Sequence, residues 1–154
     1  MAIVVYVDGL CEPYNPFGVV AYGLVVYKDG ARLHQEAKVV GEGAGMSNNV
    51  GEYSALVRAL EWLIGQGLQN EEILVKSDSQ LLVNQMSGLW DCHGGFYVGK
   101  YLEARKAVSR FSRLRFQWVP REENGEADAL SMKAYEAYCR DRGVEPKYGR
   151  RRFG

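Results

Sequence analysis

The chain has 154 residues, 47% hydrophobic and 25% charged, a size and balance that suit one globular domain able to bury its own core. Nineteen basic residues cancel nineteen acids, which excludes a global electrostatic field as the means of gathering a polyanionic partner. The longest apolar run, Phe17 to Tyr27, falls short of the roughly 20 residues that a membrane-spanning helix needs, so no membrane role is expected.

In chain order, Ile3-Val4-Val5-Tyr6-Val7 is an uncharged, β-branched run with no wet face, as a central strand covered on both sides requires. It ends in Asp8-Gly9, which would put Asp8 at the carboxyl end of the strand, where open α/β sheets bind ligands. Gly9 to Pro16 reads as a turn-rich connection. Phe17 to Tyr27 and Ala31 to Val40 read as two more strands, joined by a hairpin turn at Lys28-Asp29-Gly30, so the opening is an antiparallel meander. Ser47-Asn48-Asn49 offers N-caps for a long helix with Tyr53, Leu56, Leu60, Leu63 and Ile64 on one face and Glu52 in its first turn; Gly65 and Gly67 end it.

Glu71 to Ser77 reads as a fourth strand, after which Asp78-Ser79 opens a short helix, Gln80 to Met86. A glycine-rich break from Ser87 to Gly95 follows. Tyr101, Ala104, Val108 and Phe111 then mark the buried side of a helix whose opposite side carries Lys106, Arg110 and Arg113. Leu114 to Val119 is the fifth strand, Pro120 to Asn124 a loop, and Gly125 to about Arg142 the last helix, with Ala127, Leu130, Ala134 and Tyr138 inward. Residues 1–142 make one domain, and residues 143–154 a basic C-terminal tail: from Arg140 to Gly154 six Lys/Arg face two acids. No internal repeat is present.

Cys11, Cys92 and Cys139 form neither an even framework nor a CxxC pair, and the N-terminus has no basic, signal-like region; a reducing cytoplasmic setting is expected. His34 is expected to be structural. Cys92-His93 resembles half a zinc site but has no second pair nearby, and Trp62, Trp90 and Trp118 suit core or rim packing.

Each of four acids has an ordinary explanation taken alone. Asp8 could form a strand-end turn, Glu52 could close a capping box with Asn49, Asp78 could cap the helix after it, and Asp128 could favour the positive end of the last helix. Together they point to one site, because strands one and four can be neighbours in a mixed sheet with both carboxylates at the same edge. Carboxylates brought this close raise one another's pKa and call for a counter-charge. Oxygen-only ligands favour Mg²⁺ or Mn²⁺ over zinc, and such ions serve phosphate chemistry, two of them clamping the attacking and leaving oxygens of an in-line displacement. A GxxxxGK[ST] phosphate loop is absent, as is a second Asp two residues after Asp8.

Asp8-Gly9-Leu10-Cys11 with Asn15-Pro16 and Ala21-Tyr22-Gly23, Ser47-Asn48-Asn49-Val50-Gly51-Glu52, Ser77-Asp78-Ser79-Gln80, and Trp118-Val119-Pro120-Arg121-Glu122-Glu123-Asn124 with Ala127-Asp128 together resemble ribonuclease H of type 1, over about residues 2–142. The resemblance implies an α/β, ribonuclease H-like fold: a five-stranded mixed sheet in order 3-2-1-4-5, its first three strands antiparallel, flanked by helices. It implies Asp8, Glu52, Asp78 and Asp128 as catalytic ligands for two Mg²⁺ or Mn²⁺ ions. The family cuts the RNA strand of an RNA–DNA hybrid to 3′-hydroxyl and 5′-phosphate ends. Hybrid contacts carry over onto Asn15, Asn48, Asn49 and Gln80, whose amides can reach minor-groove edges and 2′-hydroxyls, and onto the backbone at Gly9 and Cys11. Turn or cap chemistry is the plain alternative for the four amides.

Ser47 matches a hydroxyl that binds a DNA phosphate in some members, although the arginine those members carry two residues earlier is Gly45 here. Ser87 to Phe96 has no Lys or Arg where bacterial members often place a basic protrusion, as in the shorter archaeal-type members. Arg121 replaces a histidine that many members carry before the last aspartate. Arginine cannot act as a base at neutral pH, so Arg121 is either an electrostatic member of the catalytic set or a surface charge paired with Glu122 or Glu123. The expected partner is an RNA–DNA hybrid held by a monomer without an obligate protein partner. Double-stranded RNA or an RNA end is an alternative substrate, and a hybrid-binding module without turnover an alternative function.

Overall fold

The computed structural model describes residues 2–149, so Arg150, Arg151, Arg152 and Phe153 of the basic tail lie outside the described residues. In chain order it contains β1 (Ala2–Glu12), β2 (Val19–Lys28), β3 (Ala31–Glu42), α1 (Asn48–Gly65), β4 (Glu72–Ser77), α2 (Gln80–Met86), α3 (Val98–Val108), β5 (Arg113–Trp118), a 3₁₀ turn (Arg121–Glu123) and α4 (Gly125–Asp141). The five strands form one sheet in the order β3-β2-β1-β4-β5. β1, β2 and β3 pair antiparallel, while β4 and β5 join in parallel, which makes the mixed sheet that the family resemblance implies. The hairpin turns on Asp29 (φ 52°) and Gly30 (φ 82°), the two positive-φ positions that a two-residue loop of matching twist demands.

Alternation along β1 feeds two cores. Ile3, Val5 and Val7 pack with Leu56, Leu60 and Leu63 of α1, whereas Leu10 packs with Val19 and Ala21 of β2 and with Tyr135 and Cys139 of α4. All three cysteines are free thiols. Among the described residues, no helix is long and apolar enough to cross a membrane.

Strand ends shift from the sequence reading by one or two residues at β2, β3, β4 and β5, and three larger differences bear on the site. β1 does not stop at Asp8 but runs to Glu12, because β2 continues to pair with it as far as Glu12↔Val19; its parallel partner β4 leaves earlier, after Tyr6↔Lys76. Asp8 therefore sits mid-strand, just past the point where one neighbour has gone. Glu52 is in the second turn of α1, not the first, since the N-cap is Ser47. α3 ends at Val108, and the Ser112 N–H donates to the Gln69 carbonyl (3.1 Å), drawing the chain into register with β4 so that Arg113 opens β5. The row of Lys106, Arg110 and Arg113 is thus split between a helix, a turn and a strand.

The segment after α4 is tied down where it is described. The Lys147 N–H donates to the Tyr135 hydroxyl (3.1 Å), the Tyr148 ring meets the Tyr135 ring edge-on at 5.5 Å, and the Gly149 N–H donates to the buried Glu12 carboxylate (2.6 Å).

Two glycines allow the helices to approach β1 and β2 at backbone distance. A Cβ on Gly9 would fall 2.2 Å from the Glu52 nitrogen and 2.3 Å from the Gly51 carbonyl carbon, so α1 rests directly on β1. A Cβ on Gly23, the β2 partner of Asp8, would fall 2.2 Å from the Ala127 carbonyl oxygen and 2.8 Å from the Ser131 nitrogen of α4. Both contacts involve backbone that cannot yield without moving a helix. Gly23→Ala is expected to destabilise the fold by about 2 kcal/mol or more, measurable by denaturant titration.

Glu36 on β3 clamps β2 and α1. It accepts the Tyr22 hydroxyl (2.8 Å) and a two-pronged contact from Arg58 Nε and Nη2 (2.9 Å each), while His34 beside it stacks on Trp62 at 4.3 Å. His34 is structural, as expected. Arg58, by hydrogen bonding to the ionised carboxylate, leads in lowering Glu36 from the ordinary 4.5 to about 2, against burial and helped by Tyr22 and His34. A depressed folded-state pKa contributes stability that is present above 4.5 and lost as the pH falls toward 2. Glu36→Gln is expected to destabilise by about 1 kcal/mol at neutral pH, a modest value because Arg58 is partly exposed. In thermal melts the gap between variant and parent should close as the pH is lowered through that window.

Candidate active site

The crevice opens where β1 loses β4. Asp8 and Glu52 are buried, at 4% and 6% exposure, and Asp78 is half-buried at the end of β4; one carboxylate oxygen from each lies within 4.8 Å of the others. Asp128, on the first turn of α4, lines the same pocket together with Gly9, Asn48, Ser79, Trp118 and Arg121, around a volume of about 310 Å³. The four acids of the sequence reading are thereby gathered, with three in the tight group and Asp128 beside it.

The ordinary explanations of these acids can now be weighed against geometry. Ser79, not Asp78, caps α2, its hydroxyl accepting the Leu82 N–H at 3.1 Å. Glu52 lies too far into α1 for a capping box with Asn49. Asp8 is inside a strand and forms no turn. Burial, followed by the charges of Glu52, Asp78 and Asp128, pushes the Asp8 carboxyl well above its usual range. Three neighbouring carboxylates with only oxygen donors fit a hard divalent cation, which would remove the repulsion that burial makes severe.

The remaining sequence-predicted residues divide. Gly9, Asn48 and Arg121 line the acid pocket. Asn15, Ser47 and Asn49 line a neighbouring hollow with Pro16, Phe96 and Tyr97. Asn15 links the two, donating from Nδ2 to Asn48 Oδ1 and accepting the Asn48 backbone N–H, each at 3.0 Å, so it also caps α1. Cap chemistry and position beside the site coexist there. The Cys11 side chain is buried and donates to the Tyr14 carbonyl (2.9 Å), which leaves only its backbone for any contact. Gln80 is exposed on the first residue of α2. Cys92 and His93 belong to no metal-competent group among the described residues.

Near the acids, Ser131 and Asn124 received no role from sequence, and Trp118 only one in core or rim packing. Ser131 Oγ lies 2.7 Å from the Asp128 carbonyl and 3.3 Å from Asp8 Oδ2, its one proton shared between the two acceptors. Trp118, 43% exposed at the rim, donates its indole N–H to the Asp78 carbonyl at 3.1 Å. Asn124 is buried at the entry to α4. The i, i+3 spacing of Asp128 and Ser131 was a usable signal for the first.

The raised pKa of Asp8 has a sign that can be measured. Below 3.8 folded and unfolded chains are both protonated; as the pH climbs past 3.8 the unfolded chain ionises first, and the fold loses stability until its own raised pKa is passed. At neutral pH in chelator, Asp8→Asn is therefore expected to melt at the same temperature as the parent or higher. Saturating Mg²⁺ should raise the melting temperature of the parent more than that of the variant.

Comparison with known proteins places this geometry. The family described as reverse transcriptase-like matches residues 19–134. A bifunctional protein of Mycobacterium tuberculosis is 34% identical over 139 residues, covering 89% of this chain, but the chain spans only 36% of that relative's length. The ribonuclease HI of Halobacterium salinarum is 31% identical over 131 residues, 85% of this chain and 63% of that protein. Among solved structures, the RNase H1 of Halobacterium salinarum superposes with a TM-score of 0.76 at 31% identity, over 87% of this chain and 97% of that one. LC11-RNase H1 in complex with an RNA/DNA hybrid superposes with a TM-score of 0.79 at 34% identity, over 88% and 98%. Sheet order, acid cluster and these likenesses agree, and the chain belongs to the type 1 ribonuclease H family.

Proposed function

We propose that the chain is a divalent-metal-dependent endoribonuclease that hydrolyses the RNA strand of RNA–DNA hybrids, leaving 3′-hydroxyl and 5′-phosphate ends. The observation that carries this reading is the convergence of Asp8, Glu52 and Asp78 within 4.8 Å, with Asp128 lining the same pocket. Asp8, Glu52, Asp78 and Asp128 would hold two Mg²⁺ or Mn²⁺ ions, whose Lewis acidity would activate a water and stabilise the leaving oxygen of an in-line displacement.

The chain's own residues supply grip and orientation. Asn48 has its side-chain oxygen engaged by Asn15, which turns its amide donor end to other acceptors; such donors can take a 2′-hydroxyl or a minor-groove base edge without demanding a sequence. Asn15, Ser47 and Asn49 continue this polar lining away from the acids. Arg121, lining the acid pocket, contributes attraction for phosphate, not proton transfer. LC11-RNase H1, a relative of the same fold, was solved with an RNA/DNA hybrid, which supports the substrate class.

A gel assay on equal lengths of hybrid, duplex RNA and duplex DNA, with Mg²⁺ or Mn²⁺, tests the proposal. The hybrid's RNA strand should be cut, and Asp78→Asn should lower the rate by about a thousandfold or more, the scale of losing a preorganised electrostatic contact, while hybrid binding in chelator persists. Cleavage of duplex RNA in preference to hybrid would reassign the substrate. Undiminished cleavage by Asp78→Asn would remove the acids from the chemistry.

A further inference from the structure

Asn124 precedes α4 and is 1% exposed, yet its side chain makes no cap for that helix. Its Nδ2 donates to the Val7 carbonyl at 2.9 Å and faces Asp78 Oδ1 at 3.5 Å. Its backbone carbonyl accepts the Asp128 N–H at 3.1 Å. One residue thus reaches the peptide unit that leads into Asp8, the carboxylate of Asp78, and the backbone of Asp128, which sit on β1, at the end of β4 and on α4. The two amide donors determine which way the group faces, because both neighbours at Nδ2 are acceptors. Its Oδ1 is buried without a hydrogen-bond partner. A buried polar group left half satisfied disfavours the fold, so packing alone gives no reason for an amide there.

We infer that Asn124 is a positioning residue for the candidate metal site: from the start of α4, its side chain ties β1 to the end of β4 and aims Asp78 Oδ1 into the pocket. This rests on the reading of the acids as metal ligands. Without the amide, the Asp78 carboxylate would lose a contact and the Val7 carbonyl, ahead of Asp8, its donor, while the backbone bond to Asp128 would remain; hydrogen-bond partners behind metal ligands govern affinity by tenfold to about a hundredfold.

Asn124→Leu tests this, because leucine matches the shape, removes the donors and also removes the orphaned acceptor. The variant also takes the donor from the Val7 carbonyl, so some loss of melting temperature in chelator is expected, and the decisive result is Mn²⁺ binding at least about tenfold weaker by calorimetry on folded protein without nucleic acid. At saturating substrate its kcat should fall, with hybrid affinity in chelator unchanged. If Asn124→Leu does not fold, Asn124→Ala is measured in the same way. Parent-like Mn²⁺ affinity in a folded variant would overturn the inference, and so would a lowered melting temperature combined with unchanged affinity and kcat, the signature of a purely structural residue. If the parent itself binds Mn²⁺ no better than Asp78→Asn does, the metal-site reading falls instead, and the two failures remain distinct.

Discussion

Backbone-to-backbone contact at two glycines governs the geometry of the site. Gly9 follows Asp8 on β1 and meets Gly51-Glu52 of α1, while Gly23 lies opposite Asp8 on β2 and meets Ala127 and Ser131 of α4. A side chain at either position would hold a helix away from the sheet. Because Glu52 and Asp128 ride on those helices, their distance from Asp8 is set by atoms that are not side chains at all. Gly51 tightens the first contact from the helix side, with a Cβ there already at 3.0 Å from the Ala21 carbonyl oxygen.

That approach concentrates like charge where water is scarce. The fold tolerates it through the strength of the surrounding frame: β1 is paired on both sides up to Tyr6, two cores flank it, and the Glu36 clamp joins β2, β3 and α1 on the far side. Local instability at a site, sustained by rigid elements elsewhere, is the usual arrangement where chemistry requires charges to be held close. Hydrogen bonds from Ser131 on α4, Trp118 on β5 and Asn124 just before α4 reach the acids or their backbone. Asp8, Glu52 and Asp128 are therefore carried by a strand and two helices, while Asp78 and Ser79 come from the short connection after β4 and Arg121 from the 3₁₀ turn.

Positive charge is arranged differently from the acids. Ser87 to Phe96 has no Lys or Arg, and the basic residues predicted to line one face of α3 are dispersed when that helix ends at Val108. The segment after α4 is fastened through Lys147, Tyr148 and Gly149 to Tyr135 and Glu12, three residues before the Asn15 that lines the neighbouring hollow and bonds to Asn48. In a chain of zero net charge, the placement of a few cations matters more than their total.

The sequence by itself determined the element order, the hairpin, the sheet class and the four acids, because each leaves a local trace: alternation along β1, Asp29-Gly30 at the turn, Ser47 before α1, and short motifs around Asp8, Glu52, Asp78 and Asp128. Ends of elements were decided elsewhere. β1 outlasts Asp8 because β2 lends it hydrogen bonds four residues further, and α3 stops early because Gln69 captures Ser112, two partners distant in sequence. The role of Ser79 over Asp78 as helix cap was equally a matter of which oxygen reached Leu82. Asn124 shows the limit most clearly: its identity is plain in the chain, but its bonds run to residues 117 and 46 positions away, so only the folded arrangement brings its amide to β1 and β4 together. Composition and periodicity record what a residue does to its neighbours in sequence; a close contact between backbones, or a side-chain amide shared by two strands, exists only once distant segments have met.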